Sequence, residues 1–303
     1  MRRVVITGMG TINPIAKNLD EFETNLKEMK IGIDVITSFD ASNLPVRIAA
    51  EVKDFKPEDY MDRKLVKRLD RYSQFALAAA KQAVEMSGID LEKYSERTGV
   101  LMSSGMGGFI TLAEQNEVLR ERGPERVSPF LIPMILINMA SGVIAIEMGL
   151  KGPNFAPVSA CATSVHSIAL GAMLIRHGYA DVVIAGGSEA TIAPLPIAGF
   201  ASMRALSTRN EDPSRASRPF DKSRDGFVMG EGAGALILEA EEVAKARGAR
   251  IIAEIKGFAM NDDAYHFSAP NPEAKGSTAA MKMALEDANI SADQIDFVSC
   301  HAT

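Results

Sequence analysis

The sequence has no tryptophan and only two cysteines, Cys161 and Cys300, among its 303 residues. Two cysteines cannot form the disulfide framework that is typical of small secreted proteins, so we expect a reducing compartment. The N-terminus passes from two arginines directly into an apolar strand pattern and lacks the long apolar run of a signal peptide. No stretch approaches the ~20 uninterrupted apolar residues of a membrane-spanning helix. We therefore expect a cytoplasmic protein that does not insert into membranes.

Several motifs of known chemistry are also missing. GxSxG, HExxH and CxxC do not occur, so serine-hydrolase and zinc-site interpretations have no support and no metal is expected. The net charge of −6 argues against nucleic-acid binding. The segment GMGTINP, residues 8–14, superficially resembles a dinucleotide-binding glycine loop, but Pro14 stands where the third glycine and the helix should be. We interpret this segment as a turn from a strand into a helix, which leaves nucleotide binding a weak hypothesis.

What the sequence does contain is a regular alternation of short apolar strands and helices. With 47% apolar residues, the chain can bury a large core in one or two domains. Strands are expected at residues 3–8, 98–104, 182–185, 251–258 and 295–299. Helices are expected at residues 20–29, 63–87, 109–120 and 272–288. This order predicts an α/β protein in which helices cover a parallel or mixed sheet.

The helix predicted over residues 63–87 carries a concentration of positive charge in its first turns. Its apolar residues recur at three- and four-residue steps, and Gly88 is expected to end it. Five basic residues have few acidic neighbours: Arg63, Lys64, Lys67, Arg68 and Arg71. Such a run is most often a solvated helix face. In an acidic protein it also suits the docking of an acidic partner, and both interpretations remain open.

Cys161 is the most informative single residue. It follows a short apolar stretch that we expect to be a buried strand, beginning after Gly152 and Pro153, and it opens a helix that stops at Gly178. A helix N-terminus offers unpaired N–H groups and the positive end of the dipole, which favour a thiolate. Cys161 is thus a candidate nucleophile, whereas the competing interpretation is a buried structural cysteine.

Four histidines could serve this cysteine. His166 lies five residues into the same helix, about 140° round it, and is expected to point elsewhere. His177 lies at the far end of that helix, and His266 is expected to fix a loop through hydrogen bonds. His301 ends a predicted strand, at the edge where α/β proteins collect catalytic groups, and is therefore the best candidate. Cys300 alternates to the opposite face of that strand and is expected in the core.

Long runs of the sequence resemble the β-ketoacyl-[acyl-carrier-protein] synthases, most closely the synthase II branch. The runs that carry the resemblance are VSACATSVHSIALGAMLIRHGYADVVIAGGSEA, GFASMRALSTRN, SRPFDKSRDGFVMGEGAGALILE, DDAYHFSAPNPE and SCHAT. The resemblance implies a thiolase-like α/β fold of two stacked mixed sheets with helices, normally in a homodimer. Residues 1–250 would form the half that carries the nucleophile, and residues 251–303 would begin a second half that is incomplete here.

The resemblance also implies a chemistry and a set of site residues. Cys161 would accept an acyl group from an acyl-carrier protein, and His301 would stabilise the enolate formed when malonyl-carrier protein loses CO₂. Met106 and Phe200 would line the acyl channel, and Thr303 would bind the pantetheine arm. The carrier-docking residues would be Lys64, Lys67, Arg68, Arg126 and Arg204. No cofactor is implied for the enzyme itself, because the carrier protein brings 4'-phosphopantetheine.

A non-catalytic partner subunit of the chain-length-factor type is the alternative function. Such partners usually lack the nucleophile, so the presence of Cys161 argues against this alternative. The expected incompleteness of the second half argues for it.

Overall fold

A five-stranded mixed sheet forms the centre of the computed structural model, which describes all 303 residues. The strand order is β4-β5-β6-β1-β7, and β4 and β5 are parallel while the other neighbours are antiparallel. The strands of this sheet are β1 (Val4–Ile12), β4 (Thr98–Ser103), β5 (Val182–Glu189), β6 (Gly232–Ala240) and β7 (Ala253–Ile255). A separate two-stranded ribbon pairs β2 (Asp34–Val35) with β3 (Ile48–Ala49).

Helices cover both faces of the central sheet. They are α1 (Leu19–Lys27), α2 (Arg63–Val66), α3 (Arg71–Ser87), α4 (Leu91–Tyr94), α5 (Phe109–Arg122), α6 (Leu131–Ile135), α7 (Met139–Met148), α8 (Thr163–Arg176), α9 (Pro194–Ser202), α10 (Glu241–Ala246) and α11 (Lys275–Ala288). None of them combines the length and apolar character needed to cross a bilayer. Along β5, Val182 and Ile184 pack on the side of α3 and α7, whereas Val183 and Ala185 pack on the side of α8. Burial on both faces explains why β5 is a continuous apolar run.

The glycine segment near the N-terminus does not form the predicted turn. β1 continues through it to Ile12, and Gly8 and Gly10 lie inside the strand. A Cβ at Gly8 would collide with the backbone oxygen of Ala83, and one at Gly10 with that of Ala79, both on α3. These glycines therefore allow a helix to pack at backbone distance on the sheet, and a strand-to-helix turn was the wrong interpretation.

The helix predicted over residues 63–87 is interrupted. α2 ends at Val66, and α3 begins after Asp70, whose carboxylate accepts a hydrogen bond from the N–H of Tyr72 at the start of α3. Asp70 is buried and also accepts bonds from the N–H and hydroxyl of Thr111 on α5. Gly88 ends α3 in the left-handed conformation, at φ 60°, as predicted.

Two predicted strands are absent from the sheet. The segment of residues 152–160 runs beside β4 but joins it through a single bridge, Val100 to Asn154, and none of its residues is buried. Residues 295–299 do not form a strand, because the chain after Ile295 makes no backbone hydrogen bonds. A strand requires a neighbour to pair with, and neither segment has a full one.

Candidate active site

Cys161 lies in a turn of 3-10 helix, Ala160–Ala162, directly before the first residue of α8. Its side chain is exposed, so the interpretation as a buried structural cysteine is wrong. α8 begins at Thr163, two residues later than predicted, and the N–H of Thr163 donates to the backbone oxygen of Ala160, so the Cys161 turn runs directly into the helix. The positive end of a 14-residue helix is therefore close to an accessible sulfur.

The turn before Cys161 is strained and is held from both sides. Ala160 has a φ of 50°, a left-handed conformation that costs a non-glycine residue about 1 kcal/mol or more. The N–H of Ser159 donates to Oγ1 of Thr163 at 2.9 Å, and Oγ of Ser159 lies 2.6 Å from Nδ1 of His166. His166 was expected to point elsewhere, yet its ring contacts this turn. Cys161 is thus positioned by a backbone conformation that no motif in the sequence indicates.

The loop of residues 104–108, hereafter the 104–108 loop, lies beside the Cys161 turn. A Cβ placed at Gly105 would be 3.6 Å from the backbone oxygen of Ala160, which is an ordinary contact distance, so the loop passes within about one methyl group of that turn. Glu189, at the end of β5, accepts hydrogen bonds from Oγ of Ser104 and from the N–H of Gly105, both at 2.9 Å. Burial raises the pKa of Glu189, although the bonds from Ser104 and Gly105 act in the opposite direction. Sequence reasoning missed Glu189.

The two residues expected in the acyl channel have different surroundings. Met106 belongs to the 104–108 loop and is half-buried one residue from the contact with the Cys161 turn. Phe200 lies on α9, where its ring packs edge-on against Phe227 with the ring centroids 5.5 Å apart. The structure joins Met106 to the neighbourhood of Cys161, but no hydrogen bond or ring contact joins Phe200 to it.

The residues at the end of the chain are not brought to Cys161. His301 and Thr303 are exposed, and no hydrogen bond links either of them to the Cys161 turn. Cys300 is exposed as well, so its expected place in the core is wrong. Nδ1 of His266 accepts bonds from the N–H groups of Ser268 and Ala269, which confirms its expected role in fixing a loop.

The expected docking residues form one patch and one outlier. Lys64, Lys67 and Arg68 lie on α2 and directly after it, are exposed and make no ion pair. The guanidinium of Arg68 lies 4.6 Å from the ring centroid of Phe130, which follows the exposed Arg126 by four residues. These four residues are called the basic patch below. Arg204 is exposed after α9, and no hydrogen bond, ion pair or ring contact joins it to the patch.

Arg71 does not belong to this surface. Its guanidinium pairs with Glu231 at 2.8 Å and donates to the backbone oxygen of Val52. Both residues line a cleft of about 460 Å³ that does not include Cys161. Another carboxylate in this cleft, that of Glu51, accepts bonds from Thr37 and from the N–H of Ser38, so its polar groups are satisfied internally. Because Cys161 does not line this cleft, the cleft is separate from the cysteine site.

Comparison with known proteins identifies the family. The model of the β-ketoacyl synthase N-terminal domain matches residues 1–244, and that of the C-terminal domain matches residues 252–303. The chain belongs to the β-ketoacyl synthase family of condensing, acyl-transferring enzymes. The recognised family is thus confirmed.

Individual relatives support the same assignment. The 3-oxoacyl-[acyl-carrier-protein] synthase 2 of Synechocystis is 48% identical over all 303 residues, which correspond to 73% of that protein's length. A crystal structure of a β-ketoacyl synthase from Burkholderia phymatum matches the whole chain with a TM-score of 0.92 and 33% identity, over 74% of its own length. A type II PKS ketosynthase, solved in complex with its acyl-carrier protein, matches 99% of this chain and 73% of its own, with a TM-score of 0.85 and 30% identity.

These findings confirm the α/β fold class and its likeness to the thiolase-like ketosynthases. They favour a condensing enzyme over the non-catalytic partner subunit, because two relatives that are 48% identical over the full chain length are named as synthases. The site residues and the division near residue 250 remain predictions.

Proposed function

We propose that this chain elongates acyl chains in fatty-acid synthesis by decarboxylative Claisen condensation, with Cys161 as the acyl-accepting nucleophile. The observation that carries the proposal is the exposed thiol of Cys161 at the N-terminus of α8. The 48% identity to a 3-oxoacyl-[acyl-carrier-protein] synthase 2 supports the reaction type.

The reaction divides into two steps through a thioester. In the first, the thiolate of Cys161 attacks the carbonyl carbon of an acyl-carrier thioester, and the pantetheine sulfur leaves as a thiolate that takes up a proton from water. In the second, malonyl-carrier protein loses CO₂, and the resulting carbanion attacks the Cys161 thioester. This step releases the Cys161 thiolate and a 3-oxoacyl chain that is two carbons longer.

Individual residues of this chain have assigned parts in those steps. The backbone N–H of Cys161 donates to the oxyanion that develops on the acyl carbonyl. His301 stabilises the enolate of the second step, Thr303 binds the pantetheine arm, and Met106 and Phe200 line the acyl channel. The enzyme needs no cofactor of its own, since 4'-phosphopantetheine arrives on the carrier protein.

The first step gives a direct test. The protein is incubated with an acyl-carrier protein charged with a saturated acyl chain, and tryptic peptides are analysed by mass spectrometry. We expect the acyl mass on the peptide that contains Cys161. Absence of acylation, or acylation of Cys300 alone, would reject the proposal.

The partner in both steps is the acyl-carrier protein, which docks on the basic patch. Acyl-carrier proteins are acidic, and the unpaired cations of the patch provide the complementary charge. A solved relative is bound to its own acyl-carrier protein, which supports this choice of partner. Arg204, on the segment after α9, is assigned to the same docking face.

Reversing charge on the basic patch should weaken this docking selectively. For the double substitution Lys64→Glu and Lys67→Glu, we expect the KM for acyl-carrier substrate to rise about tenfold or more at low salt, because opposite charge steers association. The difference should shrink as salt is added. Acylation by a small thioester that lacks the carrier should be unchanged.

The matched control is Lys282→Glu, an exposed lysine on α11 far along the chain from the patch. It should leave the KM within twofold. Equal effects of the control and of the double substitution would contradict the proposed docking surface.

The active form is proposed to be a homodimer. The segment of residues 152–160 lies along the edge of β4 with its outer side unpaired, and Phe155 and Val158 on it are exposed. Ile146 on α7 and Val165 on α8 add exposed apolar surface, at 73% and 60%. An unpaired edge with apolar side chains is suited to pairing with a second copy.

Charge at this edge should separate the copies. Val158→Arg is expected to convert the dimer to a monomer in analytical ultracentrifugation, because a charge buried in the interface would be unpaired. Leu26→Arg, on the exposed face of α1, is the control and should leave the dimer intact. A wild-type monomer at micromolar concentration would reject the homodimer.

Two further features are included in the proposal. Two free cysteines, both exposed, are consistent with a reducing cytoplasm. The two family models meet between residues 244 and 252, which supports a division of the chain near residue 250.

A further inference from the structure

β5 ends in a carboxylate, Glu189, that the proposed mechanism does not use. One carboxylate oxygen accepts the hydroxyl proton of Ser104, and the other accepts the N–H of Gly105, each at 2.9 Å. The two partners are consecutive residues 84 or more positions earlier in the chain. Glu189 therefore connects the end of one strand to the start of the 104–108 loop.

Ser104 passes this connection on to the rest of the loop. Its Oγ accepts hydrogen bonds from the N–H groups of Met106, at 3.3 Å, and Gly107, at 2.7 Å. Because the hydroxyl donates its proton to Glu189, both of its lone pairs are free for these N–H groups. The carboxylate thus fixes the orientation of a hydroxyl that in turn fixes the backbone of Met106.

The loop is also closely packed on its far side. Gly107 has a φ of 66°, and a Cβ there would lie 2.8 Å from the backbone oxygen of Ile135 on α6. A Cβ at Gly108 would collide with the backbone oxygen of Met134. The loop is thus held between Glu189 and α6, so loss of the contacts at Glu189 would release one of its two supports.

Glu189 lies in a buried position where the charged form of a carboxylate is energetically unfavourable. Burial raises the pKa of Glu189, which shows that the charged form is penalised at this place. The hydrogen bonds from Ser104 and Gly105 offset part of that penalty. A carboxylate supplies two acceptor oxygens in one plane, which an apolar residue of similar volume cannot do.

We propose that Glu189 is a positioning residue that sets acyl-chain selectivity, because it holds the 104–108 loop and so places Met106 beside Cys161. The proposal rests on the proposed function, in which Cys161 accepts the acyl chain and Met106 lines its channel. Glu189 itself does not touch the reacting atoms. It acts through Ser104 and through Gly105, which lies within about one methyl group of the backbone of Ala160, the residue before the nucleophile.

The test compares a short and a long acyl donor without the carrier protein. Acetyl and dodecanoyl thioesters of N-acetylcysteamine each transfer their acyl group to Sγ of Cys161, and the N-acetylcysteamine thiol leaves with a proton. Rates are measured by intact-protein mass spectrometry for the wild type, Glu189→Ala, Glu189→Gln and Ser104→Ala. Alkylation of Cys161 by iodoacetamide reports whether the thiol itself has changed.

For Glu189→Ala and Ser104→Ala, we expect dodecanoyl transfer to fall about tenfold or more, since small displacements of positioning groups have effects of this size. Acetyl transfer and alkylation should stay within twofold of the wild type. Glu189→Gln keeps one acceptor oxygen and should retain part of the long-chain rate. If Glu189→Ala does not fold, Ser104→Ala removes the same relay and decides the matter.

The control is Glu239→Gln, which changes another buried carboxylate at the opposite end of the sheet. Glu239 pairs in register with Val182, the first residue of β5, whereas Glu189 is the last residue of that strand. The control should leave the ratio of long-chain to short-chain rates unchanged. An unchanged ratio in both Glu189→Ala and Ser104→Ala would overturn the inference, as would equal changes in the control. Failure of the wild type to accept either acyl group would instead reject the proposed function.

Discussion

Replacing Cys161 with serine is expected to abolish acyl-enzyme formation, with a loss of about 10³-fold or more in the rate of acyl transfer. A cysteine sulfur is intrinsically a much stronger nucleophile than a serine hydroxyl, which stays protonated without an adjacent base. Nδ1 of His166 already bonds Oγ of Ser159, so this nitrogen does not serve as a base for a serine hydroxyl at position 161. The measurement is the yield of acylated peptide per minute.

Cys300→Ser is the matched control for this experiment. Both cysteines are exposed, so accessibility alone does not distinguish them. Only Cys161 precedes a helix N-terminus, and Cys300 lies in a segment without regular structure. The Cys300→Ser protein should acylate at the wild-type rate. Undiminished acylation of the Cys161→Ser protein would remove the basis of the proposed function.

Replacing Arg247 with alanine is expected to lower the free energy of unfolding by about 3–5 kcal/mol, because it leaves a buried carboxylate without its partner. Glu239 is fully buried and receives two bonds from the guanidinium of Arg247, at 2.6 and 2.9 Å. The hydroxyl of Thr7 donates to the same carboxylate. Arg247 also donates to the backbone oxygen of Ser87 at 2.9 Å and so links the end of α3 to β6. Urea unfolding followed by circular dichroism measures the loss.

Lys245→Ala, on α10 just before Arg247, is the control. Lys245 pairs with Glu241 at 3.0 Å, but its side chain is 62% exposed, and exposed pairs contribute about 1 kcal/mol or less. A similar small loss for Arg247→Ala would show that the buried pair does not stabilise this fold.

The features that could be predicted from the sequence are those encoded locally. β5 was visible because both of its faces are buried, which produces an uninterrupted apolar run. The end of α3 at Gly88 follows from the ease with which glycine adopts a positive φ. Cys161 was identified because it stands between an apolar stretch and a helical pattern. The family resemblance supplied the remaining site residues, from Met106 to Thr303.

The features that could not be predicted depend on contacts between distant residues or on a single dihedral angle. Glu189 accepts a hydrogen bond from Ser104, which lies 85 positions earlier in the chain. In the sequence alone, Glu189 is indistinguishable from an ordinary carboxylate at the end of a strand. Asp70 interrupts a regular helical pattern because it bonds Thr111 on another helix. Ala160 has a left-handed backbone conformation, which an alanine in the sequence does not predict. Residues 152–160 join the sheet only through one bridge, because they lack a fully paired neighbour. The periodicity of apolar residues in the sequence does not show whether such a neighbour exists.

The contact of β1 with α3 has a consequence for how this protein can vary. At Gly8 and Gly10 the helix lies directly on the strand backbone, so even one methyl group would displace α3 outward. α3 starts at Arg71, shortly after Lys64, Lys67 and Arg68 of the basic patch. An outward shift of α3 would therefore move the basic patch as well. In the proposed function the arm that carries the substrate has a constant length, so the distance from the basic patch to Cys161 must stay constant too. Gly8 and Gly10, which have no side chains, thereby help to fix the distance between the basic patch and Cys161.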